Sequence, residues 1–389
     1  MKLSKESEYI IERLEENGFE AYAVGGYVRD MFLGKDAHDI DITTSAKPDE
    51  IKRIFPHTAD TGIKYGTVSV ILKRGTYEVT SFRAESSYSD GRHPGIIRFS
   101  KSITVDLSRR DFTMNAIAYS PKRGFFDPFG GINDIKAKVI RCVGNPETRF
   151  SEDALRALRA LRFACQLGFL MDDETYRAAV SIKNPNISSE RIRDEFGKML
   201  LNTAHLKECF SRYGKISENV FPPLSVEEID FEALENYHGN DAYIKWALLL
   251  KNQKDLGYIL SELKFGKEAK RIINELIKYR HFPCNDEKSI RRLLNFIGKD
   301  QVKRMLNMTG TSENILNKVI SNNDCFQLSN LEVNGNDVIN IIGHETPAVG
   351  NILRKILREV IDGNLQNDKN TLLRQIELLA LNESSDKRE

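Results

Sequence analysis

From residue 151 onward the chain shows helical periodicity and no strand-like segment, whereas the first 150 residues alternate the two patterns. That asymmetry admits few folds. Strands confined to one end must pair with one another, so the sheet belongs to an N-terminal α+β domain and the remainder packs helix on helix. Residues 4–17 predict a helix capped by Ser4, with Ile10, Ile11 and Leu14 on one face and Gly18 as its stop. Strands are expected at 21–24 and 40–43, a short helix at 27–33, and a helix opened by Pro48 that runs to Phe55. Segments 67–72 and 77–82 alternate with period two, and the turn between them, with Gly75, makes a hairpin. Later helices are expected at 152–167, 189–201, 242–251, 267–279, 287–297, 300–308 and 349–362, with the lone Trp246 in the core.

The 389 residues suffice for two or three domains, and 40% apolar with 29% charged content is that of a folded soluble chain. The longest apolar run, 246–250, is five residues, far below the ~18 of a membrane span. No membrane segment and no secretory signal are expected. Five scattered cysteines without a CxxC pair suggest reduced core thiols in a cytoplasm. The net charge of +1 conceals an asymmetry. Between residues 98 and 162 thirteen basic residues face seven acids, a net of +6 that leaves −5 elsewhere. Such a zone is either solvated surface charge or the contact for a polyanion or nucleotide.

The sharpest local feature is Asp39-Ile40-Asp41. On a strand the two carboxylates project to one side, where they repel unless a cation lies between them. The pair suits Mg²⁺, which takes one or two carboxylates together with substrate phosphates; the competing reading is a solvated strand edge. Upstream, Gly25-Gly26 ends one strand and opens a helix bearing Arg29, an arrangement that lets backbone approach phosphate with a cation nearby. A third acid, Glu78, stands on the strand 77–82, placed to face the same pocket.

This layout resembles the DNA polymerase β-type nucleotidyltransferases. The longer string Val24-Gly25-Gly26-Tyr27-Val28-Arg29-Asp30-Met31-Phe32-Leu33-Gly34, followed by the DxD, resembles the opening motif of class II tRNA nucleotidyltransferases (CCA-adding enzymes) and bacterial poly(A) polymerases. Four further segments are similar to motifs of that family and follow in its order: Arg109-Arg110-Asp111-Phe112-Thr113-Met114-Asn115-Ala116-Ile117-Ala118-Tyr119, then Asp127-Pro128-Phe129-Gly130-Gly131, then Glu152-Asp153-Ala154-Leu155-Arg156, and last Ser189 through Phe196 (SERIRDEF). The resemblance implies a polymerase β-like head with a small mixed sheet at 1–140, a helical neck at 141–205 that carries the nucleotide-selecting helix, and a helical body and tail at 206–389 that binds tRNA. It implies catalysis by Asp39 and Asp41, with Mg²⁺ on both, and leaves Glu78 as an aid to the metal site or a base.

Glu152, Asp153 and Arg156 are expected on one side of a first helical turn, with Arg156, Arg159 and Arg162 forming a cationic stripe. By themselves these residues read as intrahelical salt bridges. The resemblance implies that Asp153 and Arg156 hydrogen-bond the base edge of CTP or ATP, both of which carry an amine, while Arg159 and Arg162 reach triphosphate or ribose. Arg110 is a candidate phosphate clamp and Asp111 an acceptor for ribose hydroxyls, or the two form a salt bridge at a strand end; Asn115 reads as structural. The segment 85–98 (ESSYSDGRHPGIIR) reads as a mobile loop of the kind that is shortened in relatives adding only CC. Asn334–Asp337 reads as a turn ahead of a helix bearing Arg354, Lys355 and Arg358, cations suited to RNA phosphate. The implied activity is template-independent addition of CCA to tRNA from CTP and ATP. Rival readings are a poly(A) polymerase, a CC-only or A-only enzyme, and a non-catalytic RNA-binding protein. Oligomeric state is not legible.

Overall fold

A computed structural model describes residues 3–35, 40–88, 94–201, 204–343 and 347–385. Ser4 accepts a hydrogen bond from the Ser7 amide at 3.1 Å and caps α1 (Lys5–Glu16), whose face of Ile10, Ile11 and Leu14 is buried. The strand β1 (Ala21–Val24) is buried at every residue, as its unbroken apolar run requires. It leads through Gly25 into α2 (Gly26–Phe32), and then come β2 (Asp41–Thr44) and α3 (Pro48–Ile54).

Next lie β3 (Thr58–Gly62), β4 (Thr67–Leu72), β5 (Gly75–Ser81), β6 (Arg83–Tyr88), β7 (Pro94–Phe99), α4 (Ile103–Ser108), β8 (Ala118–Ser120), β9 (Gly124–Phe126) and α5 (Gly131–Ala137). Seven strands form one mixed sheet in the order β3-β4-β5-β2-β1-β8-β9, parallel only between β2 and β5. Tyr22, Val24, Phe82, Leu107 and Ala118 belong to one buried cluster of this domain.

Several expectations need correction. Segment 85–98 contributes to two antiparallel strands, β6 and β7, with Arg83 registered on Phe99. The tip at 89–93 lies outside the described residues. Strand β3 was not expected, because TADTG carries no apolar alternation; it pairs through backbone along β4. The expected helix 152–167 is two helices, α6 (Pro146–Glu152) and α7 (Leu155–Leu167). Asp153 is extended between them (φ −149°, ψ 100°), and its Oδ1 accepts from the Leu155 amide at 3.1 Å, satisfying a donor at the start of α7. Glu152, Asp153 and Arg156 therefore do not share a first helical turn. Two-residue strands β10 (Val139–Ile140) and β11 (Leu170–Met171) also pair, so strand structure does not end at residue 150.

After α7 come α8 (Asp173–Ser181) and α9 (Ser189–Leu201), the latter packed on α7. The contacts divide the chain into two units, residues 1–236 with 252–264, and residues 237–251 with 265–389. The second unit is helical throughout its described residues. Trp246 of Ala242–Leu250 is buried edge-on to Phe265, ring centroids 5.0 Å apart, in the core as expected. The segments expected at 287–297 and 300–308 form Glu287–Thr309, interrupted at Gly298. Asn334 caps Gly335–Ile342, so the expected turn is the first turn of a helix. This helix packs with Pro347–Ile361 and Lys369–Ser385 around Val338, Ile352, Ile356, Leu372 and Ile376. All five cysteines are free, four buried and Cys284 half-buried. Among the described residues no helix is long and apolar enough to cross a membrane.

Candidate active site

Asp41 opens β2 where that strand meets the end of β1 and the middle of β5: it registers antiparallel with Val24 and parallel with Glu78. Both acidic side chains are exposed. Gly25 follows Val24 with φ +76° and ψ −141°, a conformation that L side chains rarely adopt. A Cβ there would also stand 3.1 Å from an Arg110 guanidinium nitrogen and 3.6 Å from Asp41 Oδ2. The turn thus brings bare backbone, a carboxylate and a cation together. Asp39 lies outside the described residues.

A cavity of about 590 Å³ opens over this turn, lined by Gly25, Gly26, Arg29, Asp41, Arg110, Asp111, Asn115, Arg159, Arg162, Phe163 and Lys198 among others. Its cations come from α2, from the segment after α4, and from α7 and α9. Glu78, Asp153 and Arg156 are not among the lining residues. Arg29 donates to Asp30 (2.9 Å) and to Asn115 Oδ1 (2.8 Å). Asn115 Nδ2 donates in turn to Asp111 Oδ1 at 3.0 Å. The other Asp111 oxygen accepts twice from Arg159, at 2.9 and 2.6 Å, and the Phe112 amide donates to Oδ1 at 2.8 Å. Burial alone would raise the Asp111 pKa, but Arg159, Asn115 and the Phe112 amide outweigh it and hold the carboxyl well below the usual carboxylate range.

Asp153 and Arg156 face other partners. Asp153 Oδ2 accepts from Arg191 at 2.6 Å. Arg156, buried, donates to Glu152 at 2.8 Å and to the Arg109 carbonyl at 3.0 Å, stitching α6 and α7 to the segment that carries Arg110. The Asp127-Pro128-Phe129-Gly130-Gly131 stretch is structural on this geometry. Asp127 accepts from the Gly131 and Ile132 amides, both at 2.8 Å, and caps α5, while a Gly131 Cβ would fall 2.1 Å from the Thr113 carbonyl oxygen.

Four residues of the site were not singled out from the sequence: Asp106, Glu195, Phe163 and Lys198. Asp106, fully buried on α4, accepts from Arg109 Nε at 3.0 Å and from the Arg83 amide and Thr43 Oγ1, each at 3.3 Å, and lies 3.5 Å from Arg110. It ties Arg110 to the strand that carries Asp41. The signal was available, since an acid three and four residues ahead of two arginines meets them on a helical turn. Glu195 of α9 accepts from Arg162 at 2.5 Å and pairs with Arg159 at 3.7 Å and Lys198 at 3.2 Å. Burial would raise its pKa, but Arg162 and Arg159 hold it below the usual range. Phe163 is an apolar residue among these charges, and its spacing on α7 marks it only as core.

Comparison with known proteins agrees with the motifs. The family model described as Poly A polymerase head domain matches residues 21–141, and that described as tRNA nucleotidyltransferase domain 2 matches residues 238–376. The CCA-adding enzyme of Leuconostoc mesenteroides is 35% identical over 378 residues, covering 93% of this chain and 93% of its own. That of a Geobacillus species is 36% identical over 384 residues, covering 92% and 93%. The crystal structure of the Bacillus stearothermophilus CCA-adding enzyme in complex with CTP superposes with a TM-score of 0.82 at 30% identity, covering 100% of each chain. On its α+β head, its helical remainder and relatives matched at these identities along nearly their whole length, this chain belongs to the CCA-adding enzyme family.

Proposed function

We propose that the chain adds CCA to the 3′ end of tRNA, taking CTP and then ATP without a nucleic-acid template and releasing pyrophosphate. The observation that carries this reading is the single cavity where Arg29, Arg110, Arg159, Arg162 and Lys198 converge above the Gly25-Gly26 turn beside Asp41. Bare backbone at the two glycines admits a phosphate, Arg29 and Arg110 hold it, and Arg159, Arg162 and Lys198 complete a cationic wall. The donor set beside that wall is hard carboxylate oxygen, which fits Mg²⁺. Asp39 and Asp41 would hold two such ions, with Glu78 in register with Asp41; when bound, one would lower the pKa of the attacking 3′-hydroxyl and the other would neutralise triphosphate charge and stabilise the leaving pyrophosphate. Glu78 then assists that site or takes the hydroxyl proton.

Choice of base is assigned to Asp153 and Arg156, one accepting from the exocyclic amine and the other donating to ring acceptors. To read a base, Asp153 shares or exchanges its Arg191 partner and Arg156 its bond to Glu152. Asp111 has each oxygen engaged twice, so it serves a ribose hydroxyl only where Arg159 or Asn115 yields a position. The reading divides the chain into a head (1–140), a neck (141–205) and a body and tail (206–389) that takes tRNA, and it places the enzyme in the cytoplasm.

The decisive experiment incubates the protein with Mg²⁺, tRNA ending at the discriminator base and each labelled nucleoside triphosphate, then sequences the product ends. CCA ends that require both CTP and ATP support the reading. Ends that stop at CC with ATP present indicate a CC-adding enzyme, growth only on tRNA-CC an A-adding one, and long A tails on unrelated RNA a poly(A) polymerase. No incorporation indicates a binding protein.

A further inference from the structure

Three guanidinium groups surround one aromatic ring in the candidate active site. The carbon centres of Arg162, Arg29 and Arg159 lie 4.0, 5.0 and 5.5 Å from the centroid of Phe163. The ring is buried on α7 and braced edge-on by Phe112, also buried, with centroids 5.8 Å apart at 87°. Phe112 packs against the ring and Phe163 lines the cavity. A ring has two faces, so three cations lying over it place at least two on the same one, against their mutual repulsion. The three come from separate directions: Arg29 from α2, Arg159 from one turn earlier on α7, and Arg162 from the neighbouring position. Their nearest carboxylates are Asp30, Asp111 and Glu195, and Glu195 also stands 3.7 Å from Arg159, but no one carboxylate is paired with all three. The Phe163 ring lies against all three.

We propose that Phe163 is a positioning residue for nucleotide binding: its π face gathers Arg29, Arg159 and Arg162 into one cationic array before a triphosphate arrives, so that the substrate meets them already assembled. This rests on the reading that the cavity takes CTP and ATP. An aromatic face attracts cations through its quadrupole, most strongly where water is excluded, and it does so without competing for the anion, as a carboxylate would. Gathering the array in advance removes an ordering cost from the binding step. The effect belongs to binding, so it appears in KM for CTP and ATP and in Kd for inorganic tripolyphosphate, with kcat nearly unchanged.

The test replaces Phe163 in the full-length chain with phenylalanines bearing one, three and five ring fluorines, which weaken the quadrupole stepwise while nearly preserving size and apolarity. The expected result is a stepwise rise in KM for both nucleotides and in Kd for tripolyphosphate, reaching roughly 3- to 30-fold at five fluorines, with thermal stability level across the series. Phe163→Leu, which lacks a π face altogether, matches the top of the series in affinity. Arg159→Ala serves as the control for the cavity. If Arg159→Ala weakens CTP binding while the fluorinated series stays flat, the role given to Phe163 is overturned and the nucleotide reading stands. If Arg159→Ala leaves CTP binding unchanged, the cavity is not the triphosphate site and both fail. Affinity that falls only in step with melting temperature assigns the ring to packing and likewise overturns the proposal.

Discussion

Ionised side chains around the cavity of the first unit are more deeply buried than most ion pairs of the second, Arg291–Asp324 (18% and 16% exposed) being an exception. Around the cavity of the first unit they are buried and locked together: the Arg162–Glu195 pair leaves 9% and 4% of its side chains exposed. In the second unit the Lys318–Glu287 pair leaves 63% and 36%, and Arg292–Asp362 leaves 44% and 22%. Surface pairs of that kind contribute little to stability, and they need no further explanation. Burying an ion costs several kcal/mol that its partner at best repays, so hydrophobic residues would serve folding as well or better. A fold that nevertheless gathers Arg29, Asp111, Arg159, Arg162 and Glu195 in one place keeps them for what they hold. The difference teaches where to look for chemistry. In the second unit apolar packing explains the helices; in the first it does not explain the charges.

The strongest challenge to this contrast removes the carboxylates that the cation array serves. Asp41→Ala, and equally Asp39→Ala, is expected to lower single-turnover CTP incorporation by several orders of magnitude while the circular dichroism melt and tRNA binding stay close to the parent; for Asp41 the side chain is exposed and no core packing is lost. Near-normal transfer in Mg²⁺ by either variant would refute the metal assignment.

Next in size is Glu195→Ala, which leaves Arg162 buried without its anion and should destabilise the first unit by about 3–5 kcal/mol in denaturant titration. The sign of its pH dependence follows from its depressed pKa. The Glu195 contribution is complete above the ordinary glutamate value of 4.5 and is lost as pH falls through the lower folded value. The stability gap between parent and variant should therefore narrow in acid. A gap that widens in acid contradicts the pairing.

Smaller again is the effect on fidelity. Asp153→Ala or Arg156→Ala should admit UTP or GTP, with discrimination reduced about 5- to 150-fold, the worth of roughly 1–3 kcal/mol of base-edge hydrogen bonding. Unchanged selectivity at a lower rate would show that the contacts to Arg191 and to the Arg109 carbonyl are their whole role. The smallest expected effect lies in the second unit, where Arg292→Ala, although its pair with Asp362 is bidentate at 2.7 and 2.8 Å, should leave the denaturant midpoint close to the parent's. A clearly lower midpoint would mean that the contrast between the units is drawn too sharply.

Elements were legible wherever a local pattern decided them. The strands at 21–24 and 67–72 and the helices at 189–201 and 267–279 have the limits expected from periodicity. The break at Asp153 was hidden because Glu152 and Arg156 keep i, i+4 spacing across it, and nothing local shows that Arg191 awaits the carboxylate. The β6–β7 hairpin was hidden because Ser, Gly, Asp and Pro mark a turn, while the pairing itself is made by backbone. At the site, residues with strong chemistry of their own (Gly25, Arg29, Asp41, Arg110) could be named from the motifs, and the structure brings those four together. Asp106, Glu195 and Phe163 acquire their roles from partners distant in sequence, which spacing alone does not reveal.

The buried thiols have a practical consequence. Desolvation pushes Cys142 up to about 12 and Cys325 up to about 11, and burial likewise raises Cys284, so these three hold almost no thiolate near neutral pH. Alkylating reagents act on thiolate and need access. A cysteine introduced on an exposed helix face should therefore react with a maleimide dye or spin label well ahead of these native positions, and pairs of such labels, one in each unit, would report distances across the working molecule with these three cysteines left in place.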